Sequence, residues 1–454
     1  MSNTMKWTLR ESSRRSLVGV LCALACGLGA CNLSASASAT PDQPGAEELR
    51  RALYAGHATP KGRRQECLAR LVFDVSGDIE WGISKPGLWS GDKFRFTSTL
   101  PDGQDHAGMG YVSLVVLAPS DWSDIARMLR SEEAGTANGV RYLKEEIETN
   151  QRLIDRLQSV LDDPSKNRNG NDLSTYPEKI ADFKRQIAEY EEGIAKSPHY
   201  SYRVDWGIPQ TLGYRAGSAL YAFVLRDGRA YKFMGLGGEG APPFEERERA
   251  FRQMLHNFRP RKLYEIPKEP GICFPYGFVA DDGKEHSRIE VSMRYKDRPG
   301  VIYTISSAVV GEHGVPGPEP AMIQATARAS TGILAGAIAA GRTVKTLGPR
   351  AVEIGALPAW QGGIAMNTAD PGKPPVVSYS IYTGTGGWPH SRVLPNITVN
   401  LRSFTREQEP DLPADPPPFD ESVLRLDELI QSMRLRPTQP LMPELAGLET
   451  ADKR

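Results

Sequence analysis

The 454-residue sequence has no surplus of either charge: 55 basic side chains stand against 55 acidic ones. Without a basic excess it lacks the electrostatic footprint of a nucleic-acid binder. It also lacks any apolar run of the ~20 residues that a membrane-spanning helix needs. Histidine and cysteine are scarce, at seven and five. The histidines (His57, His106, His199, His256, His286, His313, His390) are scattered, and there is no H-E-x-x-H and no paired-cysteine spacing, which leaves out the common zinc motifs. No G-x-S-x-G elbow supports a hydrolase nucleophile. One phosphate-loop pattern does occur, "GLGGEG" from Gly235 to Gly240. There Ala241-Pro242-Pro243 separates the glycines from the next helix, and the preceding strand is half of a hairpin, so helix N–H groups are not aimed at a pyrophosphate. It reads as a loop, as does "GEHGVPGPEP" around Glu312 and His313. No catalytic, cofactor-binding or metal residue is assigned, and no cofactor is expected.

The N-terminus is informative. Lys6, Arg10, Arg14 and Arg15 form a basic flank before the apolar run Leu17–Ala30, which ends in small residues. This is the pattern of a secretory signal. Its end, "LGAC" from Leu28 to Cys31, has the form of a bacterial lipobox, which makes Cys31 the expected lipid attachment site. The alternatives are an ordinary cleaved signal and an uncleaved anchor. Asn32 follows in place of an inner-membrane retention aspartate, which favours outer-membrane sorting. The small polar stretch after Cys31 reads as a flexible tether over residues 31–56. The chain is thus expected in the periplasm, touching membrane only through its lipid.

The remainder is long enough for two domains. Strand patterns recur. Ala69, Leu71, Phe73 and Val75 alternate with Arg70 and Asp74, with Cys67 on the same face, and Tyr111–Ala118 is an apolar run fit for a buried strand. "ALYAFVLRDGRAYKFMG" is a hairpin with Asp227-Gly228 at its turn. Further alternation runs through Ile289–Tyr295, Val377–Ile381 and Ile397–Leu401. Helical periodicity marks a short helix capped by Asp121, then a hairpin of two amphipathic helices over 141–196. The reading preferred for that hairpin is an insertion packed on its own domain, and the alternative is an arm that touches a partner. "ILAGAIAAG", Ile333–Gly341, reads as a helix buried against a sheet.

The two halves rhyme. "PPFEERERAFRQMLHNFRPR" (Pro242–Arg261) matches "PPFDESVLRLDELIQSMRLRP" (Pro417–Pro437) in its Pro-Pro-Phe start, acidic first turn, apolar face and Arg-rich end. Acid first and base last suits the helix dipole. The apolar faces are Phe251, Met254, Leu255 and Phe258 in one copy, and Leu426, Leu429, Ile430 and Met433 in the other. The starts rhyme too, "ECLARLVF" with "GICFPYGF". The expected fold class is therefore α+β, with two related domains, each an antiparallel β-sheet with packed helices and a C-terminal helix, and a helical-hairpin insertion in the first. The boundaries are a signal at 1–30, tether 31–56, N-terminal domain 57–265, C-terminal domain 266–440 and tail 441–454. Cys67 and Cys273 head equivalent strands. In an oxidising compartment they either staple the domains as a disulfide or remain two packed thiols; the disulfide is the preferred reading.

These residues together resemble the periplasmic immunity proteins that neutralise type VI secretion lipase effectors. The resemblance is carried by the lipoprotein-type leader, the Cys67-x-x-Arg70 strand start followed by "LVFDV", the helix end "NFRPR", the linker "EIPKEPGICFPYGF" and the strand "SRIEVSMRY". It covers most of the mature chain and is weakest over Leu347–Gly387. It implies two α+β domains, no enzymatic activity, and a protein partner, a lipase toxin occluded by binding. The alternatives are a structural or ligand-binding envelope lipoprotein and an envelope hydrolase with an unrecognised site. Aromatic and polar residues in apparent loops of the second domain give the expected effector contacts: Trp360, Trp388 and His390.

Overall fold

A computed structural model describes residues 44–54, 56–82, 94–96, 112–119, 121–167, 172–236, 242–311, 342–367, 377–446 and 448. The leader with Cys31, the glycines 237–240, the Glu312–His313 loop and the expected helix Ile333–Gly341 lie outside them. All of the described residues fall in one compact unit, Asp42–Arg454, whereas a separate unit, Met1–Pro41, lies outside the description.

Helix α1 (Ala46–Leu53) opens the described chain. Strands β1 (Arg64–Leu68) and β2 (Leu71–Val75) follow as a two-residue hairpin, then β3 (Ile79–Trp81), β4 (Phe94–Phe96) and β5 (Val112–Pro119). The alternation at Cys67–Val75 had suggested one strand. It is two, because Ala69 takes a positive φ of 53° and the chain reverses there. Nothing at that position signals a turn. The reversal is held from outside, by Ala69 exchanging backbone bonds of 2.7 and 2.8 Å with Cys273.

Helix α2 (Trp122–Asp162) and helix α3 (Tyr176–Tyr200) make the helical hairpin. It is longer than the expected 141–196. Asp121 caps α2 with a full capping box, and no proline interrupts the run, so the expected short helix continues into the long one. Gly135 and Gly139 weaken that continuity by only about 1 kcal/mol each. At its root α2 packs at home: Ile125 and Leu129 join the cluster of Tyr214, Tyr221, Phe223 and Ala230. Thr136 Oγ1 lies 3.2 Å from Tyr214 Oη. Beyond that point α2 runs on for about 40 Å at 1.5 Å per residue, packing along α3. Asn150 is buried there against Gln186. The reading of an insertion packed on its own domain holds for the root.

Strands β6 (Ser201–Val204), β7 (Thr211–Ala216), β8 (Ala219–Arg226) and β9 (Arg229–Gly235) complete a six-stranded sheet ordered β4-β5-β9-β8-β7-β6. The β8–β9 turn is Asp227-Gly228, both at positive φ, as the Asp-Gly signal demands. Then come α4 (Phe244–Asn257), β10 (Phe258–Pro260), β11 (Gly271–Phe274), β12 (Gly277–Ala280), β13 (Arg288–Tyr295), β14 (Val301–Ala308), β15 (Val344–Ile354), β16 (Leu357–Asn367), β17 (Val377–Thr385), β18 (Asn396–Ser403), α5 (Phe419–Gln431) and β19 (Arg434–Leu435). The second large sheet has the order β15-β16-β17-β18-β14-β13-β3, antiparallel throughout. The mixed α+β class is as expected.

The halves are tied crosswise. After α4, β10 pairs with β12; after α5, β19 pairs with β2. The division expected at 265/266 is crossed by both pairings and by β3, which completes the second sheet. Register makes the two Arg-rich ends equivalent. Arg259 faces Phe278 and Arg434 faces Val72, partners of Cys273 and Cys67 respectively. The next arginine, two positions on, does the same work in each copy. The Arg261 guanidinium donates to the carbonyls of Glu265, Phe274 and Cys67, and that of Arg436 to Pro267, Glu269 and Gly271. Arg261 also pairs at 2.6 Å with Glu66, both side chains fully buried. Arg70, 4 % exposed, pairs with Asp281 at 2.6 Å. At the centre Cys67 and Cys273 are joined, their Cα atoms 5.8 Å apart. One apolar core runs on through both large sheets and both terminal helices.

Two outcomes follow. Replacing both Cys67 and Cys273 by serine should lower the unfolding free energy by about 5 kcal/mol, since the bond closes a loop of some two hundred residues; urea titration of oxidised wild type against the double variant measures it. Glu66→Gln should lower it by about 3 kcal/mol or more, because Arg261 keeps its charge in a buried site without a counter-ion; the same titration reads this.

Candidate functional site: clefts around the terminal helix and the β15 edge

The C-terminal sheet presents a sheet edge and two adjoining clefts, all built on the hairpin β15–β16. The hairpin turns at Gly355-Ala356. Gly355 has φ +59°, and a Cβ there would stand 2.0 Å from the Met433 carbonyl, so only glycine fits. Its N–H donates to the Ile430 carbonyl at 2.8 Å and ties the turn to α5.

Helix α5 lies on the sheet because its acidic and apolar residues both find partners there. Leu426, Leu429 and Ile430 are buried in the core, and Met433, beyond the helix, is buried too. Asp427 accepts from Arg350 at 2.5 Å and from Gln361 Nε2 at 2.9 Å. Gln361 is itself buried and also donates to Thr383. Asp420 accepts from Lys345 Nζ at 2.6 Å. Tyr379 Oη donates to the Pro417 carbonyl at 2.9 Å and lies 2.6 Å from Ser422 Oγ. Burial pushes the Tyr379 phenol up to about 12.

The first cleft, about 220 Å³, lies between α1 and the loop after β17. Glu48 and Arg51 of α1 face Leu357, Pro358, Trp388 and Leu394 across it. The second, about 640 Å³, lies between β15 and the last turns of α5, with Tyr54, Val352 and Ile430 among its lining and Arg350, Glu353 and Asp427 at its polar margin. Pro358 borders both. The arrangement offers apolar lining, backbone groups and a few charges, the materials of protein recognition. Among the described residues no three histidine, cysteine, aspartate or glutamate side chains gather as a metal site.

The three expected contact residues do not come together. Trp388 is half-buried, its N–H bonded to Leu394, and it lines the first cleft. His390, two residues on, takes a positive φ of 57° and donates its N–H to Val310, with its ring centroid 6.5 Å from that of His286. Trp360 sits within β16, between Ala351 and Gly384, and lines neither cleft. It is a strand residue, not a loop residue: the β15–β16 hairpin lacked a clear sequence signal. Its turn is Gly-Ala, and a bulge between Leu347 and Arg350 breaks the alternation. The second cleft, which β15 lines, has no sequence signal for the same reason.

Residues 265–438 match the family model described as the Tle cognate immunity protein 4 C-terminal domain. Through that segment the chain is similar to the C-terminal domain of Tle cognate immunity protein 4. The matched span begins in the linker Leu263–Pro270 and ends beyond β19, so it takes in the seven-stranded sheet from β13 to β18, α5 and both clefts' sheet walls. Three solved structures are similar over most of their length. The Tle4-Tli4 complex is 16 % identical, covering 84 % of this chain and 100 % of that one, with a TM-score of 0.48. The immunity protein TplEi of the T6SS from Pseudomonas aeruginosa, complexed with "L" peptide, is 16 % identical, covering 83 % and 99 %, at 0.47. Its apo structure is likewise 16 % identical, covering 83 % and 98 %, at 0.45. No curated protein matches the chain.

The seating of α5 should be visible at high pH. An unfolded tyrosine releases its proton near its ordinary ~10, and folded Tyr379 keeps it to about 12. Its contribution is therefore whole below pH 10 and is lost as pH rises towards 12, on the order of 2 kcal/mol. Tyr379→Phe should lower stability at pH 8 by about 1 kcal/mol and flatten part of the fall between pH 10 and 12, as read by urea unfolding across that range.

Proposed function

We propose that the chain is a periplasmic, lipid-anchored immunity protein that binds a type VI secretion lipase effector and neutralises it by occlusion, without catalysis of its own. The observation that carries this reading is the match of residues 265–438 to the immunity-protein domain. The leader pattern and the Leu28–Cys31 lipobox support export and attachment of lipid at Cys31, with Asn32 favouring the outer membrane. A buried disulfide suits an oxidising compartment. Trp388, which lines a cleft, is the strongest of the aromatic contact candidates; Trp360 and His390 remain candidates beside it.

Physically, occlusion requires a rigid surface of standard interface size, about 800 Å² per partner. The crosswise knot supplies rigidity, and the clefts supply concave relief. A lipid tether would hold the inhibitor at the membrane surface, raising its effective concentration where a lipase acts.

Co-expression in the periplasm with lipase effectors encoded beside its gene tests the reading. Survival of cells that otherwise lyse is expected, and failure to protect against every such lipase would sink it. Cys31→Ser should move the protein from the membrane fraction to the soluble periplasmic fraction; retention in the membrane pellet would overturn the lipid assignment.

A further inference from the structure

The ladder of the β15–β16 hairpin has a consequence at its outer side. Ile354 and Leu357 close the two-residue turn, so they form a hydrogen-bonded pair, and pairs alternate outward from it. Val352 and Arg350 therefore spend their backbone groups on β16. Ala351 and Glu353 turn theirs away from it. Pro358, which has no N–H, sits opposite Glu353, at a position where the ladder needs none. β15 is the terminal strand of the seven-stranded sheet, and both Ala351 and Glu353 are exposed. Among the described residues, two donors and two acceptors in one row, two residues apart, thus face outward without a strand partner, beside the cleft of Tyr54, Val352 and Ile430.

Edge strands are normally blunted. On β15 the blunting is confined to one half: Lys345, Pro349 and the bulge between Leu347 and Arg350. The half from Arg350 to Ile354 has neither proline nor bulge. Of its two charges, Arg350 is engaged by Asp427 and Gln361. Glu353 has no ion-pair partner among the described residues.

We propose that the open edge at Ala351–Glu353 is a strand-addition site for an extended segment of the effector. The segment pairs with the outward backbone groups of Ala351 and Glu353, places an apolar side chain over Val352 and Ile430, and sets a basic side chain beside Glu353. An extended chain is the occupant because only backbone offers donors and acceptors at this repeat, and the lone carboxylate fixes the sign of the neighbouring charge. The assignment rests on the immunity reading and names the part of the surface that recognises the toxin.

The test uses the full mature chain and the lipase against which it protects cells. Amide exchange at Ala351 and Glu353 should slow at least tenfold in the complex. Ala351→Pro removes an outward donor without touching the ladder, and Glu353→Lys reverses the charge. Each should weaken binding about tenfold with the melting temperature of the free protein unchanged, and Glu353→Lys serves alone if the proline variant does not fold. A complex that forms while both amides exchange as in the free protein, with Glu353→Lys binding as wild type does, overturns the assignment and leaves the immunity reading standing. Protection of the same amides in a concentrated sample without lipase, together with a dimer mass, overturns it in favour of a second copy. A wild-type chain that binds no lipase removes the immunity reading itself.

Discussion

Everything in this fold leans on one arrangement: each terminal helix hands its trailing strand to the hairpin of the other half. β10 closes on β12 and β19 on β2, and two arginines, Arg261 and Arg436, plug the seams with fans of carbonyl contacts. Burial lowers Arg436 to about 10, with the nearby Arg70 guanidinium adding to the effect. A cation is held there because three backbone carbonyls replace its water. Removing such a group is costly, since the carbonyls lose their donors as well. The disulfide sits where the two hairpins meet and limits how far they can part when unfolded.

The knot fixes surface features far from it. Because α5 must deliver β19 to β2, its course over the sheet is set, and Asp427, Tyr379 and the Gly355 turn register it against β15 and β16. The cleft beside β15 is the space left between a helix that has to end near Met433 and a sheet edge that ends its own pairing there. The helical arm of α2 and α3 shows the opposite case: only its root is tied in, so its length is free of the core's demands.

Much of this was legible in residues. The paired Pro-Pro-Phe helices stand where expected, with Phe251, Met254, Leu255, Leu426, Leu429 and Ile430 buried. The Asp227-Gly228 turn and the strands around Ile289, Tyr379 and Val399 also stand, because each is dictated by local periodicity or turn chemistry. Phe258 continues the helical period and yet lies on β10, since the pairing that draws it out comes from β12, later in the chain. Ala69 was read inside a strand and is a turn, for the same reason: its partner is Cys273. The β15–β16 hairpin has no short-range signature in the sequence, because its turn is Gly-Ala and a bulge breaks its alternation.

The sequence by itself determined the elements whose stability is local, namely amphipathic helices, alternating strands, and a duplicated beginning and end, and it pointed to an immunity-type role. Tertiary structure alone decided that the duplicated ends are exchanged, that Trp388 lines a cleft while Trp360 lines neither, and that β15 is the terminal strand of its sheet among the described residues. The seam arginines reach carbonyls 165 to 194 positions away, and β19 pairs with a strand at the other end of the chain. Periodicity reports which face of an element is apolar and is silent about which element covers it.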